Sequence, residues 1–173
     1  MNNPFTLFDL PVDFQLNNDL LSSRYLSLQK SLHPDNFAHC SPQEQRLAMQ
    51  KSAEINDALQ VLKDPISRAD AIIAIHTGEQ KDLEQTRHHD MAFLMQQMEW
   101  RERLEEIEQA QDLTQLMDFS AEVETTEREF LTEISTALSA QNWQDASQLV
   151  DNLRFIRKLT ENISQLEEKF FSL

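Results

Sequence analysis

Glycine occurs once in 173 residues, cysteine once and proline five times. So little glycine leaves few places for the tight turns of β-hairpins, and the composition reads as nearly all helix. A single cysteine excludes an internal disulfide and a thiolate pair for zinc. Apolar runs are short too: none approaches the roughly 20 residues of a membrane span, and mean hydropathy is −0.54. The opening stretch, MNNPFTLFDL, lacks the basic-then-apolar order of a secretory signal and the Arg/Ser bias of a transit peptide. A cytoplasmic location is the expectation.

Positive charge is also scarce. The chain holds 15 Lys/Arg against 30 Asp/Glu, for a net −15. Residues 1–76 carry 6 against 9, whereas residues 77–173 carry 9 against 21, so the deficit lies mostly in the second half. Such a surface repels phosphate backbones and anionic lipid, so neither nucleic acid nor a membrane is expected as a partner. It suits a protein with basic patches, or it serves solubility alone. His39 beside Cys40 and the run His88-His89-Asp90 are the only metal-like groupings. Neighbouring residues on a helix point in different directions, so no metal or cofactor is expected.

What is present is helical periodicity. Pro4 to Phe8 suits a short first helix, and LPVDFQLNND reads as a connector ending in the N-cap candidates Asn17, Asn18 and Asp19. Leu21, Tyr25, Leu28 and Leu32 then form one apolar stripe, ended by Pro34. Ser41-Pro42-Gln43-Glu44 reads as a capping box, followed by Ala48, Ser52, Ile55, Leu59 and Leu62. Two such helices joined by ten residues make an antiparallel hairpin. Asp64-Pro65 opens a shorter helix carrying Ile66, Ala69, Ile72 and Ile73 and ending near Gly78.

Residues 78–87 are polar and read as a junction between a domain at 1–77 and another at 88–173. The second domain has helical patterns over roughly 88–110, 114–139 and 143–171, the last capped by Asn142. Leu116, Phe119, Val123, Phe130, Ile134 and Leu138 share one face, as do Ala146, Leu149, Leu153, Ile156 and Ile163. Three amphipathic helices with short connections make a bundle.

Within the hairpin, His33-Pro34-Asp35 stands at the tip. It reads as an ordinary turn, as half of a catalytic site with His33 as base, or as a recognition loop. The catalytic reading lacks a strained nucleophile, a phosphate cradle and a second carboxylate cluster, so no enzymatic activity is expected. The tripeptide, its hairpin and the preceding Arg24 and Lys30 resemble the J-domain of DnaJ-type co-chaperones, whose His-Pro-Asp loop stimulates ATP hydrolysis by a DnaK-type chaperone. The resemblance implies that His33, Pro34 and Asp35 signal to the chaperone and that Arg24 and Lys30 meet an acidic face of it. The Gly/Phe-rich segment and Cys-rich zinc repeats of full-length DnaJ are missing, which points to a dedicated role.

The helix near 88–110 carries a second signal. At about 100° per residue, Phe93, Trp100, Leu104 and Ile107 fall on one face as the core stripe. Met91, Leu94, Met95 and Met98 lie opposite, followed there by Glu102, Glu105 and Glu106, with Glu99 and Arg101 at the margins. An apolar methionine patch rimmed by charge is an adaptable binding surface, or it packs on the first domain. Phe155 lies off the stripe of the last helix and is expected to join the methionine patch on a shared outer surface.

Together, NPFTLFDLPVDFQL, HPDNF, AFLMQQMEWRERLEEIEQAQD, LRFIRKL and QLEEKF resemble the HscB family, J-domain co-chaperones of bacterial iron–sulfur cluster assembly. That resemblance covers nearly the whole chain. It implies an all-α fold, an N-terminal J-domain joined to a C-terminal three-helix bundle. It also implies that the J-domain engages an HscA-type chaperone while the bundle binds an IscU-type scaffold. The scaffold surface it implies comprises Leu94, Met95, Met98, Glu99, Arg101, Glu102, Glu106 and Phe155.

Overall fold

Each α-helix begins where a short polar side chain stands ready to accept a hydrogen bond from the first turn. The caps are Asn3, Asn17, Ser41, Asp64, Asp90, Asp112 and Asn142. Each occupies one of the backbone donors that a helix start leaves without a partner. The helices they open are α1 (Pro4–Leu7), α2 (Asn18–Ser31), α3 (Pro42–Lys63), α4 (Pro65–Thr77), α5 (Met91–Ala110), α6 (Leu113–Ser139) and α7 (Trp143–Phe171). A 3₁₀ turn, Pro34–Phe37, lies between α2 and α3. The computed structural model describes residues 3–78 and 90–172, which are all-α. The junction expected at 78–87, apart from Gly78, and the first two residues expected in the bundle lie outside the described residues.

The chain divides into two compact units, Met1–Glu79 and Gln80–Leu173. In the first, α2 and α3 form the antiparallel hairpin. Tyr25 Oη and Gln29 Nε2 both donate to Asn56 Oδ1 at 2.8 Å, and Ser52 Oγ donates to Gln29 Oε1 at 3.1 Å. This polar ladder sets the register, because residue number rises on one helix as it falls on the other. Ile55, Ala58, Leu59 and Leu62 of α3 form the core with Leu21, Ile66, Ala69 and Ile72. The stretch read as a mere connector contributes more than its irregular spacing suggested: Leu10 and Phe14 are buried with Phe5 and Phe8. Arg68 lies over the Phe14 ring, 4.8 Å from its centroid.

The capping box expected at Ser41 is only half present. Ser41 Oγ accepts from the Glu44 backbone N–H at 3.2 Å, but the Glu44 carboxylate accepts the Cys40 thiol. At the other end of this unit Gly78 closes α4 with φ +74° and donates to the Ala74 carbonyl at 2.8 Å. Left-handed backbone costs a residue with a Cβ about 1 kcal/mol or more, and glycine avoids that cost.

In the second unit α5, α6 and α7 make an antiparallel bundle. Phe93, Trp100 and Ile107 of α5 pack with Leu116, Phe119 and Val123 of α6 and Ile156, Leu159, Ile163 and Leu166 of α7. The stripe of α7 is wider than its expected five residues, because Val150, Leu159 and Leu166 are also buried while Leu149 is only half-buried. At 27 and 29 residues, α6 and α7 are longer than the 20-residue α5 by roughly 10–14 Å. An ion pair between Lys169 and Glu108, 3.3 Å, links α7 to the last turn of α5.

Candidate functional site

Two surfaces correspond to the residues singled out above, one in each unit. The first is the turn at the tip of the α2–α3 hairpin. Pro34 suits the first position of the 3₁₀ turn because its fixed φ is already helical and its absent N–H would have no partner there. His33 caps the turn with its ring, Nδ1 accepting from the Asp35 backbone N–H at 3.2 Å. The Asn36 N–H donates to the His33 carbonyl at 2.9 Å.

The same His33 Nδ1 lies 3.5 Å from the Asp35 carboxylate. One nitrogen cannot accept from the amide and donate to the carboxylate together. The shorter contact is the amide hydrogen bond. The longer one joins two exposed groups and contributes little. With Nδ1 turned toward the Asp35 amide, the rest of the His33 ring and the Asp35 carboxylate, 91% exposed, face solvent. Two exposed polar groups on a braced turn equip the tip for recognition by another protein.

The bracing comes from residues outside the tripeptide. Asn36 Nδ2 donates to the Lys30 and Ser31 carbonyls at 2.8 and 3.3 Å, satisfying acceptors at the end of α2. Gln45 Nε2 donates from α3 to the Phe37 and Cys40 carbonyls at 3.0 and 3.4 Å. Neither was singled out from sequence. An amide two residues after a helix-ending proline was the available signal, since Asn favours such turns.

Lys30 is exposed in the last turn of α2, where its charge suits the helix dipole. Arg24 is differently occupied. Its guanidinium donates to the carbonyls of Phe8, at 2.9 Å, and Asp9, where the chain leaves α1 with Asp9 at φ +52°. Arg24 therefore braces the end of α1.

Cys40, at the far end of the loop, is tied to the Glu44 carboxylate. That hydrogen bond, with smaller contributions from burial and from the charge of Glu44, raises the thiol above its usual range. A thiolate beside a carboxylate is disfavoured, which favours the thiol form of Cys40. Among the described residues, no group of three or more His, Cys, Asp or Glu is placed to hold a metal ion.

The second surface is the outer face of α5. Met91, Met95 and Met98 are 66, 68 and 65% exposed and follow one another at helical spacing, while Glu99, Glu102 and Glu106 are exposed around and beyond them. Leu94 and Arg101 fall on the flank between this face and the core stripe, and Leu94 is half-buried.

Phe155 occupies a different place from the one expected. It is not a free outer side chain but half-buried in the seam between α5 and α7. Its ring stacks on Trp100 at 6.4 Å and 6° and meets Phe93 edge-on at 5.8 Å. The Arg101 guanidinium lies over it at 5.3 Å. The physical reason is the bulk of Trp100: a large ring at the α5 seam offers an off-stripe aromatic of α7 a flat face to cover. Arg101 thus links Phe155 to the flank of the methionine face.

An open groove of about 440 Å³ between α6 and α7 is lined by Glu127, Arg157, Thr160, Glu161, Ser164 and Gln165. It contains no residue of either surface.

A helix hairpin tipped by a braced His-Pro-Asp turn, followed by a helical bundle with an exposed methionine face, matches the architecture expected of a J-domain co-chaperone. Comparison with known proteins narrows the class. The sequence profile of the HSCB C-terminal oligomerisation domain matches residues 89–164. A co-chaperone protein HscB homolog of Mannheimia succiniciproducens is 64% identical over 169 residues, covering 98% of both chains. The chaperone HscB from Vibrio cholerae is similar in structure, with a TM-score of 0.86, 37% identity and coverage of 98% of this chain and 99% of that one. Human co-chaperone HscB superposes with a TM-score of 0.87 at 26% identity, over 95% of this chain and 82% of that one. The chain belongs to the HscB family of co-chaperones. No helix among the described residues is long and apolar enough to cross a membrane.

Proposed function

We propose that this chain carries an IscU-type scaffold on its C-terminal bundle to an HscA-type chaperone of the DnaK family in the cytoplasm, and stimulates that chaperone's ATPase through His33, Pro34 and Asp35. The observation that carries this reading is the separation of two exposed surfaces into two units of one chain. A braced polar tip in one and an apolar face rimmed with carboxylates in the other suit two different partners. Holding both on one molecule raises the effective concentration of each for the other.

In this reading the chain catalyses nothing itself. His33 and Asp35 are exposed at a convex tip, and Cys40 is held as a thiol. Lys30 adds a positive charge beside the tip for an acidic face of the chaperone. Arg24 adds charge while holding α1. On the bundle, Met95 and Met98 supply apolar contact, with Leu94, Arg101 and Phe155 at its inner flank. Glu99, Glu102 and Glu106 face a basic rim on the scaffold.

The test is steady-state ATP hydrolysis by the HscA-type chaperone with this chain, with the scaffold, and with both. Stimulation by both well beyond the sum of each supports the bridging role, and His33→Gln should abolish it without unfolding the protein. Leu94→Ala with Met98→Ala should remove only the part that depends on the scaffold. Stimulation that ignores the scaffold would leave a general J-domain adaptor for another client. No stimulation at all would return His33-Pro34-Asp35 to being a turn.

A further inference from the structure

The outer face of α5 is built from the one apolar side chain that mild oxidants attack. Three of the chain's six methionines lie within eight residues, at 91, 95 and 98, and all three are about two-thirds exposed. Leucine has the same helix propensity and similar bulk, so nothing in the helix itself requires methionine at these positions. Their only carbon-skeleton neighbour on the flank, Leu94, is half-buried.

We infer that Met91, Met95 and Met98 form a peroxide-sensitive modification site that releases the scaffold when oxidised. The inference rests on the assignment of this face to scaffold docking. A thioether sulfur attacks one oxygen of hydrogen peroxide: an S–O bond forms and the O–O bond breaks. The proton of the transferred oxygen passes to the departing hydroxide, which leaves as water. Sulfur loses two electrons and the peroxide gains them. The reverse step, catalysed by a sulfoxide reductase, consumes two thiols and yields a disulfide and water.

The effect on docking follows from solvation. A sulfoxide oxygen is a strong acceptor, and burying it against an apolar partner without a donor disfavours the complex. The carboxylates around the face, Glu99, Glu102 and Glu106, offer acceptors rather than donors, and Arg101, a donor on its flank, lies over the Phe155 ring. Folding is a separate matter. The same helix holds the bundle through Phe93, Trp100 and Ile107 on its other side, and the oxidised atoms project into water in the free protein. Oxidation should therefore change binding and leave the bundle intact.

The experiment measures scaffold affinity by calorimetry, using the full chain before and after hydrogen peroxide. Mass spectrometry follows the sulfoxides, and dithiothreitol keeps Cys40 reduced. Oxidation should weaken binding at least about tenfold, leave the thermal midpoint unchanged, and be reversed by a sulfoxide reductase with a dithiol. A Met91→Leu, Met95→Leu, Met98→Leu variant keeps Met49 and Met117 as oxidisable controls. Compared with its own untreated state, its affinity should not respond to peroxide. Equal affinity of the oxidised and reduced wild-type protein would overturn the inference, as would an equal loss in the leucine variant. Failure of the reduced protein to bind the scaffold would overturn the docking assignment, and this inference with it.

Discussion

Replacing Phe155 with alanine distinguishes a surface contact from a packing one. On an open helix face the change would stay within about 0.5 kcal/mol. In the seam that Phe155 occupies, the ring covers Trp100, meets Phe93 and supports Arg101. A fully buried Phe→Ala change costs about 3–5 kcal/mol. Half-burial scales this to about 1.5–2.5 kcal/mol, within which the two ring pairs account for roughly 0.5–1.5 kcal/mol each. The cation–π contact, tested alone by Arg101→Ala, contributes only about 0.5–1 kcal/mol at an exposed site. The assay is urea unfolding followed by tryptophan fluorescence. Both tryptophans, Trp100 and Trp143, lie in the second unit, so the signal reports the bundle. With a typical slope of about 1.5 kcal/mol per molar, the midpoint should fall by roughly 1–1.7 M. A shift below about 0.3 M would refute the packing argument and return Phe155 to the free surface. Scaffold binding by the same variant is then measured well below its lowered midpoint, where a residual loss reads the docking role alone.

Arg24→Ala should destabilise the first unit by about 1.5–3 kcal/mol, because it orphans carbonyls that a charged donor satisfies. Circular dichroism during urea unfolding checks this, and an unchanged midpoint would mean the side chain is free for a partner. Gly78→Ala should cost about 1 kcal/mol through backbone strain, since nothing lies within 4 Å of the added Cβ. A neutral result would show α4 ending differently. The raised Cys40 pKa means less thiolate at any given pH, so alkylation by iodoacetamide should begin at higher pH than for a free thiol. Glu44→Gln removes the charge and should move that onset down. An unchanged profile would deny the Cys40–Glu44 hydrogen bond.

Much of the fold could be read locally. A helix start is a matter of a few adjacent residues, so Ser41, Asp64 and Asn142 were legible as caps, and Gly78 as a stop. Core stripes on α3, α5 and α6 were legible because a helix repeats its face every 3.6 residues whatever lies against it. The exposed methionine face needed the same arithmetic and nothing more. Irregular backbone follows no such rule, which is why Leu10 and Phe14 passed as connector although each is buried.

What tertiary structure alone decided is where residues distant in sequence meet. Periodicity places Phe155 at an angle on α7, but only the approach of α5 decides that this angle faces Trp100 rather than water. The basic residues of α2 illustrate the same limit. Arg24 and Lys30 are six residues apart on one helix, yet the guanidinium is drawn to the end of α1, fifteen residues back, while the ammonium remains exposed. The bracing of the His33 turn likewise depends on Gln45 reaching across from α3. Secondary structure and apolar faces arise from short-range sterics and local hydrogen bonds, so the sequence determines them by itself. Side-chain partners across helices depend on the packing of whole elements, and only the folded chain decides them.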